Sequence, residues 1–186
     1  MNLIETPSIF CNGKHLEGDG IDKISRKMKD LGSIFSDKVA YAALDANKLV
    51  YNVESFFPVS DKTEGGLFYG ITFIKPGTVG NEYFMTKGHF HSIRNRSEIY
   101  ITIEGEGMLI LMDEKRNTYA EKMTSGSIHY INANVAHRTA NTGDTDFIFS
   151  AVWAADAGHD YDSIEKQGFS KILIKQNGVP TLVDRS

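Results

Sequence analysis

In the stretch TKGHFHSIRNRSEIY, residues 86–100, His89 and His91 stand two apart and Glu98 opens an alternating apolar run seven residues after His91. A two-residue step on a strand points both imidazoles to one face, so two nitrogen donors converge on one point. Seven is the wrong parity for one unbroken strand. The charged RNR around Asn95 marks a reversal, after which the Glu98 carboxylate can face the imidazoles across a ladder. His137, in NVAHRTAN just before another short strand, offers a fourth donor. Three imidazoles and one carboxylate suit a divalent transition ion and leave positions for water or substrate. His15 and His129 have no neighbour at ligand spacing and read as structural or exposed residues.

Those side chains need a rigid frame. From Tyr41 onward the chain breaks into short runs rich in Val, Ile, Phe, Tyr and Thr, punctuated by Gly, Asn and Asp about every ten residues, as in an antiparallel sandwich or barrel. The strands expected are 48–57, 67–74, 82–85, 99–104, 108–113, 127–131, 138–141 and 147–153, with KPGTVG, EGEG, DEKRN and NTGDTD as turns. A small barrel of this kind can hold one small ligand in its mouth or interior. Before it, CNGKHLEGDG reads as a loop, and Ile21, Ile24, Met28 and Leu31 make a helical stripe through GIDKISRKMKDLGSIF with Gly32 as its stop. The expected division is an N-terminal arm with a short helix over 1–35 and a barrel over 36–186.

Composition narrows the function. The 186 residues are 41% hydrophobic and carry a net charge of −4 with no basic stripe, which argues against nucleic acid or an anionic membrane as partner. No apolar run approaches the ~20 residues of a membrane span, and the first residues lack the basic flank and apolar core of a secretory signal, so a cytoplasmic location is expected. Cys11 is the single cysteine, so a metal must be held by nitrogen and oxygen.

At this point the chain resembles the cupins, and among them the cupin-type glucose-6-phosphate isomerases. Glu98 and Gly105 keep the spacing of the first cupin motif, while the longer gap from His91 to Glu98 fits the isomerase subfamily. His137 and Asn141 match the second motif, and YGITFIKPGTVGNEYFMTKGHFHSIRNRSEIY, AHRTANTGD, FIF, DAGHDY and GFSKILI extend the likeness from about Ser25 to Val183. The resemblance implies an all-β cupin fold, a jelly-roll-like double-stranded β-helix barrel with an N-terminal helical arm. It also implies a homodimer that interconverts glucose 6-phosphate and fructose 6-phosphate in glycolysis and gluconeogenesis.

By the same resemblance His89, His91, Glu98 and His137 hold one divalent metal per subunit. Iron(II) is the first expectation, with manganese, nickel and zinc suited to the same donors. The substrate phosphate is expected against Thr72, Thr86 and the Gly88 backbone, and Tyr51, Tyr100, His159 and Tyr161 against the sugar. Glu98, Tyr100 and His159 are the candidate proton handlers. Trp153 stands where the family commonly has tyrosine; its indole can donate a hydrogen bond but cannot accept one. Thr86 and Gly88 are even-numbered where His89 and His91 are odd, so a bulge is expected near Lys87 and Gly88. Two other activities use the same ligands: an iron(II) and oxygen dioxygenase, and a non-catalytic sugar-phosphate sensor. Mannose 6-phosphate would present similar groups as an alternative substrate. In the run from Glu98, the side chains of Glu98, Tyr100 and Thr102 form a polar face. Ile99, Ile101 and Ile103 form an apolar one that must be covered by another layer, the arm or a second subunit.

Overall fold

The computed structural model describes residues 3–185. Its strands are β1 Ile9–Asn12, β2 His15–Gly18, β3 Ile21–Lys27, β4 Leu49–Phe56, β5 Leu67–Ile74, β6 Thr78–Val79, β7 Glu82–Tyr83, β8 Glu98–Glu104, β9 Glu106–Met112, β10 Thr118–Thr124, β11 Ile128–Ile131, β12 Ala136–Asn141, β13 Phe147–Ala154, β14 Lys171–Gln176 and β15 Val179–Asp184. Two short helices, α1 Lys38–Ala42 and α2 Asp162–Gln167, complete it. No helix among the described residues is long and apolar enough to cross a membrane.

All of the strand pairs are antiparallel. One layer runs β11-β8-β13-β5-β4-β3; the facing layer is built from β10-β9-β12 and β15-β14-β7-β6. Single bridges, Met85 to Ala140 and His89 to His137, tie the chain after β7 to β12, so the second layer is joined by isolated bridges where a closed barrel would have a continuous ladder. This is the jelly-roll-like cupin arrangement. Between the layers Phe35, Ile74, Phe84, Leu109, Leu111 and Phe147 are buried in one core. Alternation along β8 follows the two-faced pattern, with Glu98, Tyr100 and Thr102 buried and Ile99 and Ile101 exposed.

The expected N-terminal helix does not form. Ile21–Lys27 is instead the edge strand β3, paired with β4 from Ile21–Phe56 to Lys27–Leu49, and only a 3-10 turn, Met28–Asp30, follows. Three-and-four spacing of four apolar residues is compatible with a helix, but a helix that short is marginal alone, whereas the open edge of β4 satisfies a row of backbone groups at once. Tertiary pairing therefore overrides the local pattern.

The stretch read as a loop is the hairpin β1–β2, turning at Gly13 with φ +66°. Gly at the start of a two-residue turn is a hairpin signal. The hairpin lies on the outer face of the larger sheet: Leu16 is buried against Ile71, Phe73 and Ile148, and the His15 ring stacks on Phe73 at 4.7 Å. Glu54 holds it there. Its Oε2 accepts from the Leu16 N–H at 2.8 Å, and Oε1 lies 3.1 Å from His15 Nδ1 and accepts from Lys23 Nζ at 3.0 Å.

Candidate metal centre

Four donors from two layers meet at one point. His89 and His91 come from the segment bridged to β12, His137 from β12 itself and Glu98 from the first residue of β8, and their ligand atoms all lie within 4.8 Å of one another. His91 Nε2 and His137 Nε2 each stand 3.1 Å from Glu98 Oε2. His89 Nε2 is buried with no hydrogen-bond partner among the described residues. A buried imidazole nitrogen left unpartnered beside two others and a carboxylate is what an ion-binding set requires. The donor set therefore fits the divalent metal expected from the sequence.

The electrostatics agree. Burial, then the neighbouring His137, His159 and His91, pushes His89 well below the ordinary imidazole range, so its lone pair is free at neutral pH. Burial alone would raise Glu98, yet hydrogen bonding from His137 and His91 holds it at about 2, leaving it an anion. For His91 burial is again opposed, and the Glu98 carboxylate raises it.

An outer layer fixes His91. Its Nδ1 donates to the Arg96 carbonyl at 2.9 Å, which orients Nε2 toward Glu98. The Arg96 side chain in turn grips Asp156 through two hydrogen bonds, Nε to Oδ1 at 2.9 Å and Nη2 to Oδ2 at 2.7 Å. That grip holds the Asp156 carboxyl below the usual aspartate range. Asp156 binds fewer protons in the folded than in the unfolded chain between its two pKa values. Its contribution to stability is present above about pH 4 and is lost as pH falls through the depressed value. Asp156→Asn should flatten that part of the acid-unfolding profile followed by circular dichroism. It should also weaken metal binding about 10–100-fold in a chelator competition, because the His91 support is loosened.

The cluster sits in the wall of a cavity of about 570 Å³. Tyr51, Thr72, Thr86, Gly88, His89, Glu98, Tyr100, His137, Trp153, His159 and Tyr161 all line it, and His91 stands behind them. The expected bulge is present. Between the bridges Met85–Ala140 and His89–His137 one strand advances four residues and the other three, with Gly88 at φ +76°. The extra residue lets Thr86 and His89 share the cavity despite opposite parity. Thr86 Oγ1 accepts from Thr139 N–H at 3.0 Å, leaving its own proton to donate.

The remaining groups fall into roles. Burial, then Glu98, keeps Tyr100 well above the ordinary phenol range, and burial pushes Tyr51 up to about 12, so both remain hydrogen-bond donors. His159 is exposed at its outer edge, but its ring is enclosed by neighbours, parallel to Tyr161 at 5.6 Å and 4.4 Å from the His89 ring. Desolvation lowers it, so it is neutral at pH 7 and able to accept a proton. The Trp153 indole packs edge-on to Phe57 and Phe68 with centroids 6.3 and 5.8 Å away. Sequence reasoning missed Arg26 and Lys87, two cations in the same wall. Strand parity would have found Arg26 had β3 been read as a strand, since Asp22, Ile24 and Arg26 all face the cavity.

Residues 25–184 match the family model described as glucose-6-phosphate isomerase (GPI). Relatives named glucose-6-phosphate isomerase include one from Thermococcus kodakarensis, 42% identical over 89% of this chain and 87% of its own length. Another, from Pyrococcus horikoshii, is 39% identical over 89% and 88%, and one from Sinorhizobium medicae is 31% identical over 82% and 72%. A match of this extent, on a chain whose cupin layers bring the three histidines and the glutamate together, means that the protein belongs to the glucose-6-phosphate isomerase family.

Proposed function

We propose that this protein interconverts glucose 6-phosphate and fructose 6-phosphate with the help of one divalent metal per subunit. The observation that carries this reading is the convergence of His91 with His89, Glu98 and His137, the last three lining a cavity that also presents Thr72, Thr86, Lys87, Gly88 and Arg26. Such a cavity holds a polar sugar at one end and an anionic ester at the other. Held by His89, His91, Glu98 and His137, a divalent ion would supply Lewis acidity toward the sugar oxygens. Iron(II) is the leading candidate among metals suited to nitrogen and carboxylate donors.

The protein's own side chains do the rest. Thr72 and Thr86 donate hydroxyl protons to the phosphate, Gly88 admits it without a side chain in the way, and Arg26 and Lys87 offset its charge. Glu98, kept an anion at neutral pH by a pKa held at about 2, is a weak base and serves as ligand. His159, neutral and beside the cluster, takes and returns a proton at the sugar, while Tyr100 donates a hydrogen bond to a sugar oxygen. Trp153 offers its indole N–H where it faces the cavity.

The test is a coupled assay for aldose-to-ketose conversion with chelated and metal-reconstituted protein. Turnover only after reconstitution is expected. Full activity without metal would overturn the metal dependence, and oxygen uptake with no ketose would replace the isomerase reading by a dioxygenase.

The same reading makes the protein a cytoplasmic homodimer. Ile99 and Ile101 on β8 pair with Tyr130 and Ile128 on the edge strand β11, forming an exposed apolar patch beyond the reach of the β1–β2 hairpin. Light scattering should give the mass of two chains, and the double substitution Ile101→Glu with Ile128→Glu should give one.

A further inference from the structure

On the far side of Gly88 from the metal cluster lies a second, small cavity of about 10 Å³. Arg138, Arg185, Lys87, Gly88, Tyr161 and Gly168 contribute to its wall. Arg138 is 4% exposed. Its Nε and Nη2 have no hydrogen-bond partner among the described residues, and its Nη1 reaches only Met85 Sδ at 3.2 Å. The guanidinium stacks on the Phe169 ring at 4.1 Å and packs so closely on Gly88 that a Cβ there would stand 2.8 Å from Nε. Arg185 approaches over Gly168, and its Nη1 is also buried and unpartnered. Lys87 Nζ, on the same rim, lies over the Tyr161 ring at 4.8 Å.

Among the described residues no carboxylate forms an ion pair with Arg138, Arg185 or Lys87. Glu165 is the single carboxylate of the rim among the described residues, and its side chain is exposed. In the core, Glu82 accepts from the Ser36 and Asp37 N–H groups through Oε1 and attracts Arg138 without forming an ion pair with it, so one unpaired carboxylate stands against two guanidinium groups. Burying a guanidinium without a directly paired counter-charge is strongly unfavourable. A water could satisfy some donors but would add no charge opposite the two guanidinium groups. The space is small, on the scale of a single water or a monatomic ion.

We propose that Arg138 and Arg185 bind a monatomic anion of the halide class, chloride in ordinary solution, behind the Gly88 bulge. The site shares Lys87, Gly88 and Tyr161 with the wall of the large cavity and contains none of the metal donors.

The probes are sodium chloride and sodium bromide, compared with sodium gluconate at equal ionic strength and equal metal loading. Chloride should raise the melting temperature of the wild type by about 2–4 °C over gluconate. Arg185→Met, at the rim, should keep its circular dichroism spectrum and its melting temperature in gluconate but lose the increment. Crystals grown in bromide should show an anomalous peak between Arg138 and Arg185. Equal melting temperatures in the two salts, an increment that survives in Arg185→Met, or a bromide-grown crystal with no peak there would each overturn the site. Neither readout uses turnover, so failure here and failure of the isomerase reading are separate results.

Discussion

His89→Ala is expected to lower isomerase turnover by more than about a hundredfold while leaving the fold intact. Loss of a group that merely supports a metal-bound histidine typically costs 10–100-fold, and His89 is in the donor set itself. Its Nε2 has no hydrogen-bond partner among the described residues, so truncation removes one donor without stranding a second buried group. Metal content by elemental analysis should fall with activity, and the circular dichroism spectrum should stay native. Retained metal at full stoichiometry with wild-type turnover would remove His89 from the ligand set. His137→Ala is the less informative variant, because His137 is fully buried where His89 is half-buried, so its truncation leaves a void in the core as well as removing a donor.

Gly88→Ala should be among the most damaging single-methyl changes in the chain. The backbone there is left-handed at φ +76°, which alone costs an alanine about 1–2 kcal/mol. The new Cβ would also stand 2.8 Å from Arg138 Nε and 3.0 Å from both Arg138 Cβ and Phe169 Cε2, an overpacking worth about 1–3 kcal/mol more. A fall in melting temperature of roughly 5–15 °C follows, measurable by calorimetry. At temperatures where the variant is still folded, KM for the sugar phosphate should rise, since the methyl group disturbs the cradle expected to face the phosphate. An unchanged KM would place the phosphate elsewhere in the cavity.

Much of the centre was legible because the chemistry sits in local patterns. His89 and His91 share a face by strand parity, Glu98 follows a turn, and the mismatch of Thr86 with His89 called for the bulge now seen at Gly88. The strand at Leu67–Ile74 was found to the residue, and β4, β8, β9, β11, β12 and β13 within two or so. Other features depended on partners far along the chain. Ile21–Lys27 has the spacing of a helix and becomes a strand only because β4 offers it an edge, which also turned Arg26 toward the cavity unseen. The hairpin β1–β2 is short and polar, and what holds it is Glu54, some forty residues on. β10 was missed because Thr118–Thr124 has charged and polar residues where alternation would be sought. The Arg138 and Arg185 pair leaves no local trace at all, since β15, folding back along β14, carries Arg185 to the Gly168–Ser170 segment beside Arg138.

The aromatic corner of the large cavity has a spectroscopic consequence. Trp153 is the single tryptophan among the 186 residues, and it stands in the wall beside Phe57 and Phe68, over the bare backbone of Gly70. Excitation at the red edge of protein absorption therefore interrogates one indole in one place. Emission maximum, lifetime and iodide quenching all become readings of how wet that corner is, and a titration with ligand yields a binding curve with no label attached to the chain.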